Sequence, residues 1–250
     1  MTWVRRAIQK VLARFGYRII SLTETGTDSV FERFHSQVKP YTMTSYERQR
    51  ALFDAVNYIE KGNIEGDIVE CGVWRGGSSM LAALTLLENN STERELFLYD
   101  TYAGMSEPTE NDVNLHGREA APRWRELNRG EINEWDYASL KEVQENLAST
   151  GYPSEKIHFI EGKVEDTLLK VFPERIALLR LDTDWYESTK QELEQLFPRL
   201  VPGGILILDD YGHWQGARKA VDEYFEVRNI PLFLSRIDYS GRIAVKTREL

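Results

Sequence analysis

Short apolar runs alternate along the chain with longer stretches of helical period. Asp67–Cys71, Glu95–Asp100, Lys156–Ile160, Ile176–Leu181 and Ile205–Leu208 are compact and rich in aliphatic and aromatic residues, which predicts strands. Ile176–Leu181 is almost continuously apolar, as a parallel strand covered on both faces should be. Helical spacing is expected over 45–61, where Leu52, Val56 and Ile59 share one side, and over Ser78–Leu87, 139–149, 188–200 and 215–228. Pro202-Gly203-Gly204 is read as the stop of the helix at 188–200, and Tyr239-Ser240-Gly241 as a turn between final strands Leu232–Ile237 and Arg242–Val245. Alternating β and α elements predict an α/β fold: a Rossmann-like, doubly wound, seven-stranded and mostly parallel sheet with helices on both faces.

Two stretches depart from this rhythm. Residues 21–40 are polar, contain Thr25-Gly26-Thr27, and read as a linker or loop. Residues 101–138 are long, polar and tryptophan-containing, and read as an inserted lid. The expected organisation is a basic amphipathic helix plus linker over 1–40, then one domain over 41–250.

Charge sharpens the picture of the N-terminus. Net charge is −9, yet residues 1–20 carry Arg5, Arg6, Lys10, Arg14 and Arg18 without an acid, so the remainder carries −14. The acidic balance argues against a nucleic-acid partner. Val4, Ile8, Val11, Leu12, Phe15 and Ile19 recur at helical spacing among those cations. Such a helix suits an anionic membrane surface, or packing on the domain or on a neighbouring subunit of a homo-oligomer; an organelle transit peptide is a third reading. No apolar run is long enough to span a bilayer, so the expected location is the cytoplasm, with peripheral membrane contact through residues 1–20 left open. The single cysteine, Cys71, excludes an internal disulfide and a cysteine-based zinc site, and reads as a small buried residue.

In doubly wound sheets ligands bind outside the carboxyl ends of the strands. Here those ends carry Glu70, Asp100, Glu161, Asp182, Asp184, Asp209 and Asp210. The first strand runs into Glu70-Cys71-Gly72-Val73-Trp74-Arg75-Gly76-Gly77-Ser78, which has neither G-x-G-x-x-G spacing nor a following Lys-Ser/Thr. An acid beside the glycines repels a pyrophosphate and suits a cationic amino group, and Asp100 is placed to accept from ribose hydroxyls. Together they describe a nucleoside carrying an amino acid, S-adenosylmethionine; alone, the loop is a strand-to-helix turn. Four clustered aspartates, Asp182, Asp184, Asp209 and Asp210, would repel one another unless a cation joined them, and an all-oxygen site suits Mg²⁺. The plainer reading of each pair is helix capping. A metal beside a methyl donor points to methylation of a hydroxyl, with a carboxylate as general base. His213 is a second candidate base or steering group, or a packed loop residue.

Several dispersed motifs then resemble one family. They are Thr42-Met43 before a helix, Glu70-x-Gly-Val-Trp-Arg-Gly-Gly, Tyr99-Asp100-Thr101-Tyr102-x-Gly104, Gly162-x-x-x-Asp166-Thr167, Leu181-Asp182-x-Asp184-x-Tyr186, and Pro202-Gly203-Gly204 leading to Asp209-Asp210-Tyr211. Over residues 40–245 the chain resembles the macrocin and mycinamicin O-methyltransferases, which include the novobiocic acid type. The resemblance implies a class I fold that uses S-adenosylmethionine, releases S-adenosylhomocysteine and depends on Mg²⁺. It implies that Asp182, Asp209 and Asp210 hold the metal and that Asp184 is the base. It places Thr42, Met43, Glu70, Gly72, Trp74, Gly76, Ser78, Asp100, Thr101, Gly162, Asp166 and Asp182 around the cofactor, with Asp166 near the adenine. The implied acceptor is a hydroxyl of a sugar, glycan or glycosylated small molecule. Two features depart from the pattern: Lys163 stands where the macrolide enzymes carry Trp, and 105–138 matches poorly. That stretch holds His116, Trp124, Arg125, Trp135 and Tyr137, suited to stacking on sugar rings and pairing with an acidic group. The competing readings are a nicotinamide-dependent oxidoreductase and a membrane-peripheral binding module without catalysis.

Overall fold

The computed structural model describes residues 28–249 together with Ile8, Val11, Leu12 and Arg14. The remainder of the basic N-terminal segment and the Thr25-Gly26-Thr27 turn lie outside the described residues; Ile8, Val11 and Leu12 are helical, with Ile8 and Val11 exposed. Among the described residues no helix is long and apolar enough to cross a membrane.

Seven strands form one sheet: β1 (Asp67–Cys71), β2 (Leu96–Asp100), β3 (Ile157–Glu161), β4 (Ile176–Leu181), β5 (Leu200–Leu208), β6 (Ser235–Arg236) and β7 (Arg242–Val245). Their order is β3-β2-β1-β4-β5-β7-β6. The first five are parallel, and β7 runs antiparallel between β5 and β6. Strand period divides the core. On β1 and β5, Ile68, Ile205 and Ile207 face one apolar cluster, while Val69, Cys71, Leu206 and Leu208 face another. The first cluster is covered by helices α1 (Ser29–Val38), α2 (Tyr46–Lys61), α3 (Gly77–Glu88) and, beyond the short α4 (Ala121–Leu127), α5 (Leu140–Ala148). The second is covered by α6 (Val164–Thr167), α7 (Tyr186–Leu196) and α8 (Gln215–Val227).

Three expectations are corrected. Residues 29–38 are a helix, not a linker. Asp28 caps it by accepting from Val30 N and Phe31 N at 3.1 and 3.3 Å, and Phe31, Phe34 and Val38 are buried in the domain core. Each such apolar side chain contributes about 1.5–3 kcal/mol on burial, so the polar residues between them do not decide the outcome. Pro202-Gly203-Gly204 does not stop a helix: α7 ends at Leu196, and these residues sit inside β5, where Gly203 N donates to Lys246 O at 2.7 Å. The strand expected over Leu232–Ile237 shrinks to Ser235–Arg236.

The inserted stretch 101–138 is docked on the domain. Asp112 is fully buried and accepts from Thr109 N at 2.6 Å and Tyr186 N at 2.8 Å. Trp185 Nε1 donates to Ser106 O at 2.9 Å, and Trp135, Trp185 and Trp214 pack edge-on or tilted against one another. The polar residues of 101–138 therefore surround a small apolar cluster in which Ala120 and Trp135 pack with Trp185, Trp214 and Ala217 of the domain.

Candidate active site

Chain order reverses between β1 and β4, and the cleft opens at their carboxyl ends. Two close approaches shape it. Gly72 has φ +82°, and a Cβ there would lie 1.8 Å from Asp182 O, so only glycine lets β1 turn against the end of β4. A Cβ on Gly77 would lie 2.5 Å from Tyr41 O, and this lets the segment leading to Thr42 and Met43 lie over the loop.

Asp100 ties the loop down. Its Oδ2 accepts from Val73 N at 2.7 Å and Trp74 N at 2.9 Å, and its Oδ1 from Tyr102 N at 2.8 Å. Burial pushes its pKa up while these N–H groups favour the carboxylate. It still lines the cavity with Met43, Gly72, Trp74, Thr101, Gly162 and Asp182. Thr42, Glu70 and Ser78 line the adjoining pocket. Glu70, read from sequence as suited to a cationic amino group, is buried, with both oxygens taken: Oε1 accepts from Arg180 Nη1 at 2.5 Å and Oε2 from Ser79 Oγ. Gly76 packs toward Leu147 rather than the cleft. Asp166 is exposed; Lys163, Val164 and Glu165 form that wall instead.

The aspartate cluster assembles as the spacing foretold. Carboxylate oxygens of Asp182, Asp209 and Asp210 lie within 4.8 Å of one another. Asp184, at φ +67°, donates its backbone N–H to Asp210 Oδ2 at 3.2 Å. Two arginines complete the cluster. Arg180 Nη2 donates to Asp182 Oδ2 at 2.6 Å and to Asp209 Oδ1 at 2.7 Å, and Arg48 from α2 donates to Asp209 Oδ2. Arg48 Nε lies 3.0 Å from Asp238 as well. Two guanidinium groups are thus shared among Asp182, Asp209, Asp238 and Glu70, and neither pairs with Asp184 or Asp210. Burial first, then the neighbouring carboxylates, drives the Asp210 pKa well up. Burial also raises Asp182, with Arg180 opposing. Asp184 is pushed up to about 7, chiefly by burial. Oxygen donors converging with surplus negative charge fit a hard divalent cation.

Sequence reasoning overlooked both arginines. Arg180 left a signal: a cation inside the run Ile-Ala-Leu-Leu-Arg-Leu must find buried partners. Arg48 left none, because it sits among other polar residues on a helix. Asp136, which lines the cavity at the glycine loop and both adjoining ones, was also missed.

The sequence model described as macrocin-O-methyltransferase (TylF) matches residues 21–245. The chain belongs to this family. It is a methyltransferase that uses S-adenosylmethionine, and the nicotinamide reading falls. The family match begins at residue 21, ahead of the motif-based span of 40–245, in keeping with α1 being part of the core. A relative from Streptomyces olivaceus, 8-demethyl-8-(2,3-dimethoxy-alpha-L-rhamnosyl)-tetracenomycin-C 4'-O-methyltransferase, is 35% identical over 80% of this chain and 74% of its own length. Mycinamicin III 3''-O-methyltransferase of Micromonospora griseorubida is 33% identical over 80% and 76%. The solved O-methyltransferase NovP superposes with a TM-score of 0.74 at 31% identity, covering 83% of each chain.

Another cavity adjoins the one at the glycine loop on the lid side, and the loop cavity is the candidate cofactor cavity. It is walled by Trp135, Trp214, Tyr239, Arg118 and Arg123, and Asp136 and Asp184 line both spaces. His213 lines it too, its Nδ1 3.4 Å from Tyr239 Oη, with its pKa lowered first by burial and then by the charges of His116 and Arg48. Of the lid residues singled out by sequence, Trp135 alone lines this cavity. Trp124 instead donates Nε1 to Met105 O at 2.8 Å, inside the lid, and His116, Arg125 and Tyr137 are exposed elsewhere.

Proposed function

We propose that this methyltransferase acts on a sugar hydroxyl with the help of Mg²⁺. The observation that carries the reading is the position of Asp184 where the cofactor cavity meets a cavity walled by aromatic rings. Tryptophan and tyrosine faces suit the apolar faces of sugar rings, while few polar groups fix orientation. The named relatives act on a rhamnosyl tetracenomycin and on mycinamicin III.

Bound S-adenosylmethionine supplies a methyl group on a sulfonium, open to in-line attack by oxygen. Asp182, Asp209 and Asp210 would hold Mg²⁺, which would supply Lewis-acid polarisation of the acceptor hydroxyl. The protein does the rest. Asp100 locks the glycine loop, so the loop's backbone is already set when cofactor arrives. Thr42 and Met43 cover it and limit water. Trp135 and Trp214 orient the acceptor. Asp184, raised toward neutrality, accepts the hydroxyl proton at its carboxylate. His213 lines the same cavity, its backbone N–H donating to Asp210 O at 2.9 Å, and steers the acceptor.

The test is methyl transfer from S-adenosylmethionine to rhamnosyl glycosides, read as a 14 Da mass gain. Transfer should stop with EDTA and return with Mg²⁺. Turnover surviving verified metal removal would end the metal assignment. Transfer to simple phenols but to no glycoside would end the sugar assignment.

A further inference from the structure

We propose that the acceptor carries an anionic group, a carboxylate or a phosphate, which Arg118 and Arg123 bind at the outer wall of the acceptor cavity. The inference rests on the methyl-acceptor reading of that cavity and narrows its substrate class.

Both arginines lie on the lid and line this cavity but neither of the two beside it. Neither has an ion-pair partner among the described residues. By contrast, Arg129 on the same lid pairs with Glu134 at 2.8 Å. Arg123 is also held in place, with its guanidinium 4.6 Å above the Trp135 ring. The guanidinium covers that ring face, so an acceptor lying against this wall would meet the cation directly.

The other charged residues of this cavity are Arg48, Glu119, Asp136, Asp184 and Asp210. Asp136 and Asp184 stand where it joins the cofactor cavity, and Arg123 opposes Asp136 without pairing to it. Glu119 shares the outer wall but pairs with neither arginine. An acceptor would thus place its hydroxyl beside Asp184, which both cavities share, and its anion beside Arg118 and Arg123, which the cofactor cavity does not share. Arginine recognises carboxylate and phosphate alike through paired N–H donors, so both belong to the proposal.

Calorimetry of the full chain, loaded with S-adenosylhomocysteine in Mg²⁺ buffer, tests this with three probes. Methyl α-L-rhamnoside is neutral, methyl β-D-glucuronide carries a carboxylate, and dTDP-L-rhamnose carries a diphosphate. At least one anionic probe should bind about tenfold or more tightly than the neutral one. Which one does so separates carboxylate from phosphate. The margin should vanish in R118Q/R123Q, persist in R125Q, whose charge lies outside the cavity, and narrow as salt rises. Anionic probes binding no tighter than the neutral one, or not at all, would overturn the proposal. So would a margin that survives R118Q/R123Q, or one lost equally in R125Q. The S-adenosylhomocysteine titration shows that each variant is folded. Transfer to neutral glycosides alongside failure here would leave the sugar methyltransferase reading standing without the anion.

Discussion

Arg180 on β4 stands opposite Glu70 on β1 in the sheet register and donates to its carboxylate at 2.5 Å, with both side chains buried. The same guanidinium reaches Asp182 and Asp209. One buried cation therefore joins the ends of three parallel strands beneath the active site. Removing it leaves three carboxylates without their shared partner. Arg180→Met is expected to lose about 3–5 kcal/mol of unfolding free energy. Urea denaturation measures it, and Arg180→Lys should recover little, because one ammonium cannot span three acceptors. A loss below 1 kcal/mol, on the order of an exposed pair, would show that the network is not structural.

Gly72 and Gly117 separate crowding from backbone strain. Both have positive φ, +82° and +77°, yet a Cβ on Gly72 would overlap Asp182 O while one on Gly117 meets nothing within 4 Å. Gly117→Ala should cost only the left-handed penalty of about 1–2 kcal/mol. Gly72→Ala should cost more and weaken S-adenosylhomocysteine binding at least about tenfold, since the loop and β4 must part. Thermal shift with and without the ligand reads both effects.

The acid limb of the pH–rate profile should report Asp184. A raised carboxyl pKa means the proton is kept to higher pH, so the basic form is present above that pKa and lost below it. With Asp184 at about 7 before any cation is bound, and a cation favouring its carboxylate, kcat at saturating Mg²⁺ should fall along a limb at or below about 7. A flat profile down to pH 5 would remove Asp184 as the base.

Arg48 competes for the oxygens that would hold a metal. Its guanidinium sits on Asp209 Oδ2 and adds positive charge to the cluster. Arg48→Gln frees that oxygen, so Mg²⁺ measured by calorimetry should bind several-fold more tightly. Weaker binding would mean that Arg48 holds Asp209 in its ligating position.

Asp28 tests whether α1 belongs to the domain. Asp28→Ala removes the cap and should lower stability by about 1 kcal/mol, leaving methyl transfer at low temperature unchanged.

Much of this molecule is legible along the chain. The five parallel strands, the glycine loop and the paired aspartates are local patterns, because strand burial, tight turns and acid pairs each demand particular residues at short spacing. Motif order was enough to name the family. Local spacing failed where the partner is distant in sequence. Residues 29–38 look like linker until Phe31, Phe34 and Val38 find the core formed by α2 and α3. Arg48 looks like solvated helix surface until Asp209, 161 positions away, arrives beside it. Glu70 resembles a free acid until β4 brings Arg180 to it. Of the lid's cations, the sequence reading singled out Arg125, whereas Arg118 and Arg123 are the ones that line the cavity. The sequence by itself determined the alternation, the turns and the chemical types at the strand ends. Only the tertiary structure decided which charges meet, because in a buried cluster energies depend on distances of a few ångströms and on the water excluded around them.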